Sequence, residues 1–152
     1  MQYRREHVGR INEEIEKLVK DYFASTPAGK DMPELKFKWD MYDQLDKHGA
    51  LLLVTARGEE TKELCGFVMY HIQPHMHHDT VVALCDIIAV SPQFRGQGIG
   101  AQLISLGEQF TKAQGVSQIV HGFRLDYTEG VVPIFQKLEY QAKETWYVKD
   151  LR

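Results

Sequence analysis

The chain has 152 residues, 43% of them hydrophobic and 26% charged, and a formal net charge of −3. That composition is ordinary for one soluble globular domain with a sizeable core, and the lack of a basic footprint argues against a nucleic-acid binder. No stretch reads as a signal-peptide core or is apolar for long enough to span a bilayer, so no membrane is expected and a cytoplasmic location is the simplest reading.

Val8, Ile11, Ile15, Leu18, Val19 and Tyr22 recur at helical spacing with Glu13, Glu14, Glu16 and Lys17 between them, which predicts an amphipathic helix from about Arg4 to Phe23. The stretch STPAGKDMPE then has the composition of a loop, so residues 1–30 read as an N-terminal helix and loop. A shorter helix is expected from Trp39 to Lys47, stopped by Gly49. From Ala50 the pattern changes to three apolar, β-rich runs, ALLLVTAR, LCGFVMYHI and TVVALCDIIAV. The polar connections RGEETKE and QPHMHHD make these antiparallel strands. After Pro92 a helix carries Ile99, Leu103, Leu106, Phe110 and Ala113 on one face and closes at Gly115. SQIVHGF reads as a strand, EGVVPIFQKL as a short helix with Pro133 in its first turns, and YQAKETWYVKDL as one or two closing strands. The sum is an α/β domain over 1–152, with a mixed, mostly antiparallel sheet flanked by helices. Cys65 and Cys85 each sit in an apolar run with no adjacent His or Lys, as buried free thiols do and activated nucleophiles do not.

The most informative stretch is VSPQFRGQGIGAQL, Val90 to Leu103, where a strand hands over to a helix across three glycines. A helix start offers unpaired N–H groups and a positive dipole end, which attract phosphate. Glycine at Gly96, Gly98 and Gly100 removes the side chains that would hold a phosphate away, and Arg95 adds a cation, so the arrangement reads as a pyrophosphate cradle. Ala101-Gln102 fails the Walker pattern. Gly96, Gly98 and Ala101 fit the loose dinucleotide form, but that motif belongs after the first strand of a parallel unit. A glycine-rich turn serving only packing is the other alternative.

RGQGIG, preceded by IAVSPQF, resembles the acetyl-CoA signature of the GNAT superfamily of N-acetyltransferases, Gln/Arg-x-x-Gly-x-Gly/Ala, with Arg95, Gly98 and Gly100 in its fixed places. The order of elements from about Trp39 onward, residues 39–152, is similar to that family's acetyl-CoA-binding core, with the family's first strand missing or displaced by the N-terminal helix. WDMY at Trp39, LVTAR ending at Arg57, PHMH at Pro74 to His77 and CDII around Asp86 further resemble acetyltransferase-like proteins of tailed phages and prophages, which would place the protein in a host cytoplasm. The resemblance implies acetyl-CoA as co-substrate and direct acetyl transfer to an amine, a small molecule or a protein lysine. It implies that Ile88, Ala89 and Val90 face the pantetheine arm and that the backbone from Arg95 through Gly96, Gln97, Gly98 and Ile99 to Gly100 holds the pyrophosphate.

Asp86 is a carboxylate in an apolar strand, costly to bury without a partner or a job. By resemblance it is the base for the amine or a clamp upon it; a structural Asp held by backbone N–H groups is the alternative. His121, expected in the strand beside Asp86, is a proton relay or a core histidine. His75, His77 and His78 form a solvated turn, with His77 in a substrate pocket as the other reading; no acid or cysteine stands at a convincing metal-ligand spacing, so no metal is expected. Trp39 and Tyr42 are core or, by resemblance, the acceptor wall. By resemblance Phe135 lies against the cofactor in the place of the family's acidic Tyr, and Glu139 in that of its Gly, so the group protonating the thiolate would be Tyr127, Tyr140 or water. That departure keeps a second function open, a non-catalytic acyl-CoA-binding or protein-interaction module; a nicotinamide-dependent activity is a third, and the first helix could serve a homodimer.

Overall fold

Five strands and four helices carry the chain in a computed structural model that describes residues 1–26, 33–125 and 128–151. The strands are β1 (Gln2–Glu6), β2 (Leu51–Arg57), β3 (Leu64–Pro74), β4 (Val81–Val90) and β5 (Gln118–Val120), and the helices α1 (Asn12–Ala24), α2 (Trp39–Lys47), α3 (Ile99–Ala113) and α4 (Thr128–Lys137). The sheet order is β1-β2-β3-β4-β5; every neighbouring pair is antiparallel except β4 and β5, which are parallel. The mixed, mostly antiparallel sheet flanked by helices is therefore as expected.

Every residue of β2 is buried, which explains its unbroken apolar run: both faces of the strand are covered. Leu51 and Leu53 face the cluster built with Val8, Ile11, Ile15, Leu18 and Val19 around α1. Leu52, Val54 and Ala56 face the opposite way, onto Ile99 and Leu103 of α3. The sheet thus separates α1 and α2 from α3, and each side chain reports on one of two chemically distinct faces.

Three expectations need correcting. The first strand is neither missing nor displaced: β1 pairs antiparallel with β2 from Gln2↔Arg57 to Glu6↔Leu53. The helix consequently starts at Asn12 rather than Arg4, after a 3-10 turn over Val8–Arg10. The cause is a charge: Arg57, at the end of β2, is 5% exposed and demands acids. Its Nε donates to Glu6 Oε2 at 2.8 Å, and Nη1 and Nη2 grip the two Glu14 oxygens at 2.8 and 2.7 Å. Thr55 Oγ1 donates to the same Glu6 oxygen at 2.6 Å. Glu6 can reach both only from a strand laid alongside β2. Third, the closing strands do not form: residues 141–151 hold no regular element, and SQIVHGF pairs only over Gln118–Val120. The loop expected between Ser25 and Glu34 lies partly, and Tyr127 wholly, outside the described residues.

The chain divides into two compact units, Met1–Gly122 and Phe123–Arg152. The first holds the whole sheet and α1 to α3. Within the second, Phe135 of α4 stacks on Phe123 with ring centroids 5.4 Å apart and meets Tyr140 edge-on at 5.0 Å. Glu139, in the place where the resemblance expects Gly, has a left-handed φ of 63°, a conformation that costs a side-chain-bearing residue about 1–2 kcal/mol. No helix among the described residues is long and apolar enough to cross a membrane.

Candidate active site

The parallel pairing of β4 and β5 is short. Val82, Ala83 and Leu84 face Gln118, Ile119 and Val120, and there it ends. On its other edge β4 stays paired with β3 through to Val90↔Gly66. The edge of β4 from Cys85 to Val90, which includes Ile88, Ala89 and Val90, therefore has no strand on its β5 side among the described residues. Backbone groups on such an edge are available to a ligand that lies along it.

At the end of that edge the chain turns through Pro92–Phe94 and the glycine stretch into α3. Gly96 and Gly98 have φ of 75° and 76°, which only glycine adopts readily. A Cβ built on either would meet nothing within 4 Å, so their missing side chains leave open space instead of relieving a clash. Gly98 caps α3 without any side-chain cap. The first bond back to the cap is Gln102 N–H to Gly98 O at 3.1 Å, and the N–H groups ahead of it point out of the helix start. Arg95 is drawn the other way. Its Nε donates to Val90 O at 3.2 Å and its Nη2 to Ser25 Oγ at 2.9 Å, with the guanidinium 5.4 Å from the Tyr22 ring centroid. Its side chain pins the turn to the end of β4 and to α1, and the open face of the turn is backbone.

Asp86 occupies a break in the sheet. Met69 pairs with Ile87 and Tyr70 with Cys85, so Asp86 is the extra residue of a β-bulge, the device by which a strand re-aims one side chain. Its Oδ2 accepts from the Tyr42 hydroxyl at 2.7 Å, and His71 Nε2 stands 3.6 Å from the same oxygen, an ion-pair distance. Burial alone would raise the Asp86 carboxyl, but His71 and the Tyr42 hydroxyl outweigh it and hold the group below its usual range. The carboxylate in turn raises His71, while burial and Asp86 push the Tyr42 phenol up, so that it acts as a donor at neutral pH. Burial, and then Asp86, lifts the neighbouring Cys85 thiol to about 12, which leaves it neutral and unreactive.

His71 was missed in the sequence. The signal was the one that singled out Asp86: an ionisable side chain inside an apolar strand run, here LCGFVMYHI. Of the expected pair, Asp86 and His121, the structure brings together Asp86 and His71. His121 lies just past β5, with Nε2 3.2 Å from the Tyr70 hydroxyl. Tyr70 packs against α3 and His71 against α2, on opposite faces of the sheet. Burial depresses His121 to about 4, so it is neutral at pH 7.

Trp39 and Tyr42 flank the carboxylate on the α2 side. Trp39 Nε1 donates to Glu16 Oε2 at 3.0 Å, and its ring stacks on Phe37 at 4.7 Å and meets Tyr42 at 5.7 Å. His77 sits in the exposed β3–β4 turn, its backbone N–H donating to His75 Nδ1 at 3.1 Å. Among the described residues no three His, Cys, Asp or Glu side chains gather as a metal site would require.

Comparison with known proteins follows the same lines. A sequence profile of the acetyltransferase (GNAT) family matches residues 12–140. The chain is 28% identical over 103 residues to the mycothiol acetyltransferase of Paenarthrobacter aurescens, a match covering 68% of this chain and 30% of that protein. It is 34% identical over 53 residues to the aminoalkylphosphonate N-acetyltransferase of Salmonella typhimurium, covering 35% of this chain and 34% of that one. Each match thus spans about a third of the relative's length. The fold superposes on the ribosomal-protein-alanine N-acetyltransferase of Brucella melitensis with a TM-score of 0.71 at 20% identity, covering 99% and 100% of the two chains.

Proposed function

The chain belongs to the acetyltransferase (GNAT) family, and on that premise we propose that it transfers the acetyl group of acetyl-CoA directly to a primary amine. The observation that carries the reading is the β4 edge left without a strand among the described residues, ending in a glycine turn whose open face is backbone. The pantetheine arm lies along Ile88, Ala89 and Val90. The backbone from Arg95 to Gly100, with Gln97 and Ile99 between the glycines, takes the diphosphate, and the positive end of α3 favours its charge. The amine is held at Asp86, with Tyr42 and Trp39 forming the wall beside it and His77 at the rim. Asp86 takes a proton from the ammonium, and the neutral nitrogen attacks the thioester carbonyl as the C–S bond breaks. The second proton, shed by the new amide, passes through water to the departing thiolate, and a β4 backbone N–H polarises the carbonyl. A thiolate is a stable enough leaving group at neutral pH for water to protonate it, which removes the need for a tyrosine where Phe135 stands. His121, neutral at pH 7, stands beside Tyr70, on the α3 side of the sheet, and the reaction proposed here is carried by Asp86 without it.

The free thiols Cys65 and Cys85 fit a reducing cytoplasm. The narrower kinship with phage-encoded acetyltransferase-like proteins rests on WDMY, LVTAR, PHMH and CDII alone. The family match crosses the boundary at Gly122, which supports treating 1–152 as one functional domain.

Thiol release from acetyl-CoA, followed across a panel of amines, tests the proposal. We expect at least one amine to stimulate release and Asp86→Ala to slow it by about 100-fold or more, the scale of a lost acid–base group. Binding of coenzyme A with no release for any amine, indifferent to Asp86→Ala, would instead favour the non-catalytic module.

A further inference from the structure

We infer that Tyr42 and His71 are positioning residues that tether Asp86 through Oδ2 and leave Oδ1 as the acceptor for a substrate amine in its ammonium form. The inference rests on the acetyl-transfer reading but concerns how the acceptor is chosen. Both contacts to the carboxylate fall on one oxygen, Tyr42 at 2.7 Å and His71 at 3.6 Å. Among the described residues no hydrogen bond or ion pair reaches Oδ1, and the Asp86 side chain is 31% exposed. The bulge aims this one residue off the pleat, so the free oxygen is a product of strand geometry and not of a wandering surface side chain.

The tether is itself braced. The Tyr42 and His71 rings meet edge-to-face at 5.9 Å. Behind Tyr42 stands Trp39, fixed by Glu16 of α1. A continuous line of contacts therefore runs from α1 through α2 to the carboxylate, and a carboxylate held this way forms a directional, charge-assisted bond with little further ordering.

The charge balance favours a cation. The ionisable groups facing Asp86 are His71 from β3, Tyr42 from α2 and Cys85 beside it on β4; the last two are neutral at pH 7. With His71 neutral the site carries one net negative charge and attracts an ammonium. With His71 protonated the charge is cancelled. Acceptor binding should therefore weaken as pH falls through the raised His71 range.

The test uses two probes with the same apolar body, phenethylamine and phenethyl alcohol. Their binding is followed by NMR at neutral pH and as pH falls, with and without coenzyme A. The wild type should bind the amine about tenfold or more tighter than the alcohol, the scale of a hydrogen bond to a charged group. Asp86→Asn should erase that preference. Tyr42→Phe, which keeps the ring, should reduce it several-fold. His71→Leu, which removes both the contact to Oδ2 and the proton that cancels the charge, should abolish the loss of preference as pH falls. A general loss of structure would weaken both probes alike and leave the ratio unchanged. Equal binding of the two probes by the wild type, or a preference that survives Asp86→Asn, overturns the inference. So does a preference indifferent to Tyr42→Phe, or a loss of preference with falling pH that survives His71→Leu. Coenzyme A binding in the same samples separates the two ideas: if it binds and the ratio is one, the ammonium site falls and the acetyl-transfer reading stands. If it does not bind while the preference holds, the reverse is true.

Discussion

Asp86 and His121 lie on opposite faces of the same sheet, and their surroundings shift them to opposite charge states: an anion and a neutral imidazole at pH 7. Asp86, at a bulge with a hydroxyl and an imidazole against it, is kept ionised. His121 is depressed to about 4 by burial, and its stability effect has a definite sign. Its folded pKa lies below the 6.5 of the free side chain, so between those values the unfolded chain binds the proton and the folded one resists it. Stability should be unaffected by His121 above pH 6.5 and fall as pH drops toward 4, by up to about 3 kcal/mol. Urea denaturation across that range, compared with His121→Gln, should show the wild type losing more; parallel curves would contradict it. The sequence marked both residues as unusual. It could not say that Asp86 would meet a hydroxyl and an imidazole, because Tyr42 and His71 reach it only through the β3–β4 register and the docking of α2.

Elements with a strong period were legible, and the failures share one cause. β2, β3, β4 and α3 sit where their apolar runs or helical spacing put them, and α2 spans Trp39–Lys47 as its pattern implied. β1 was hidden because QYRRE has no apolar alternation: its polar residues are spent on the buried end of β2, with Glu6 accepting from Arg57 and Thr55. The apolar spacing of α1 continues back through Val8, so periodicity alone could not show where the helix stopped. Close packing between elements was equally silent. Gly107 of α3 has no turn to explain it, yet a Cβ there would lie 2.5 Å from Tyr70 Cε2, in a ring that is fully buried. Gly107→Ala gains up to about 1 kcal/mol of helix propensity but overpacks a core, which costs about 1–3 kcal/mol. We predict a net loss, read as a lower urea midpoint at unchanged slope, because Tyr70 has nowhere to go; a raised midpoint would show that the ring yields cheaply.

At the scale of the molecule, one edge of one sheet organises the account. β4 leaves β5 after Leu84, runs on to Val90 with no strand on that edge among the described residues, carries Asp86 at its bulge and ends at a turn opened by Gly96 and Gly98. The family is legible in that turn together with the order of elements around it, whereas the acceptor is not, since the site proposed for it draws on β3, β4 and α2. In the proposed reaction the main chain at the start of α3 grips the diphosphate of coenzyme A. Calorimetric titration with coenzyme A, on the wild type and on Gly98→Ala, tests it most directly. The alanine would cost about 1–2 kcal/mol of stability through its left-handed backbone, while its methyl group would enter open space that a phosphate needs. The folded wild type should bind with micromolar affinity, and the folded variant about tenfold or more weaker, as the helix-start N–H groups are obstructed. No heat from the wild type at millimolar coenzyme A, or equal affinity in the two proteins, would contradict that grip on the diphosphate.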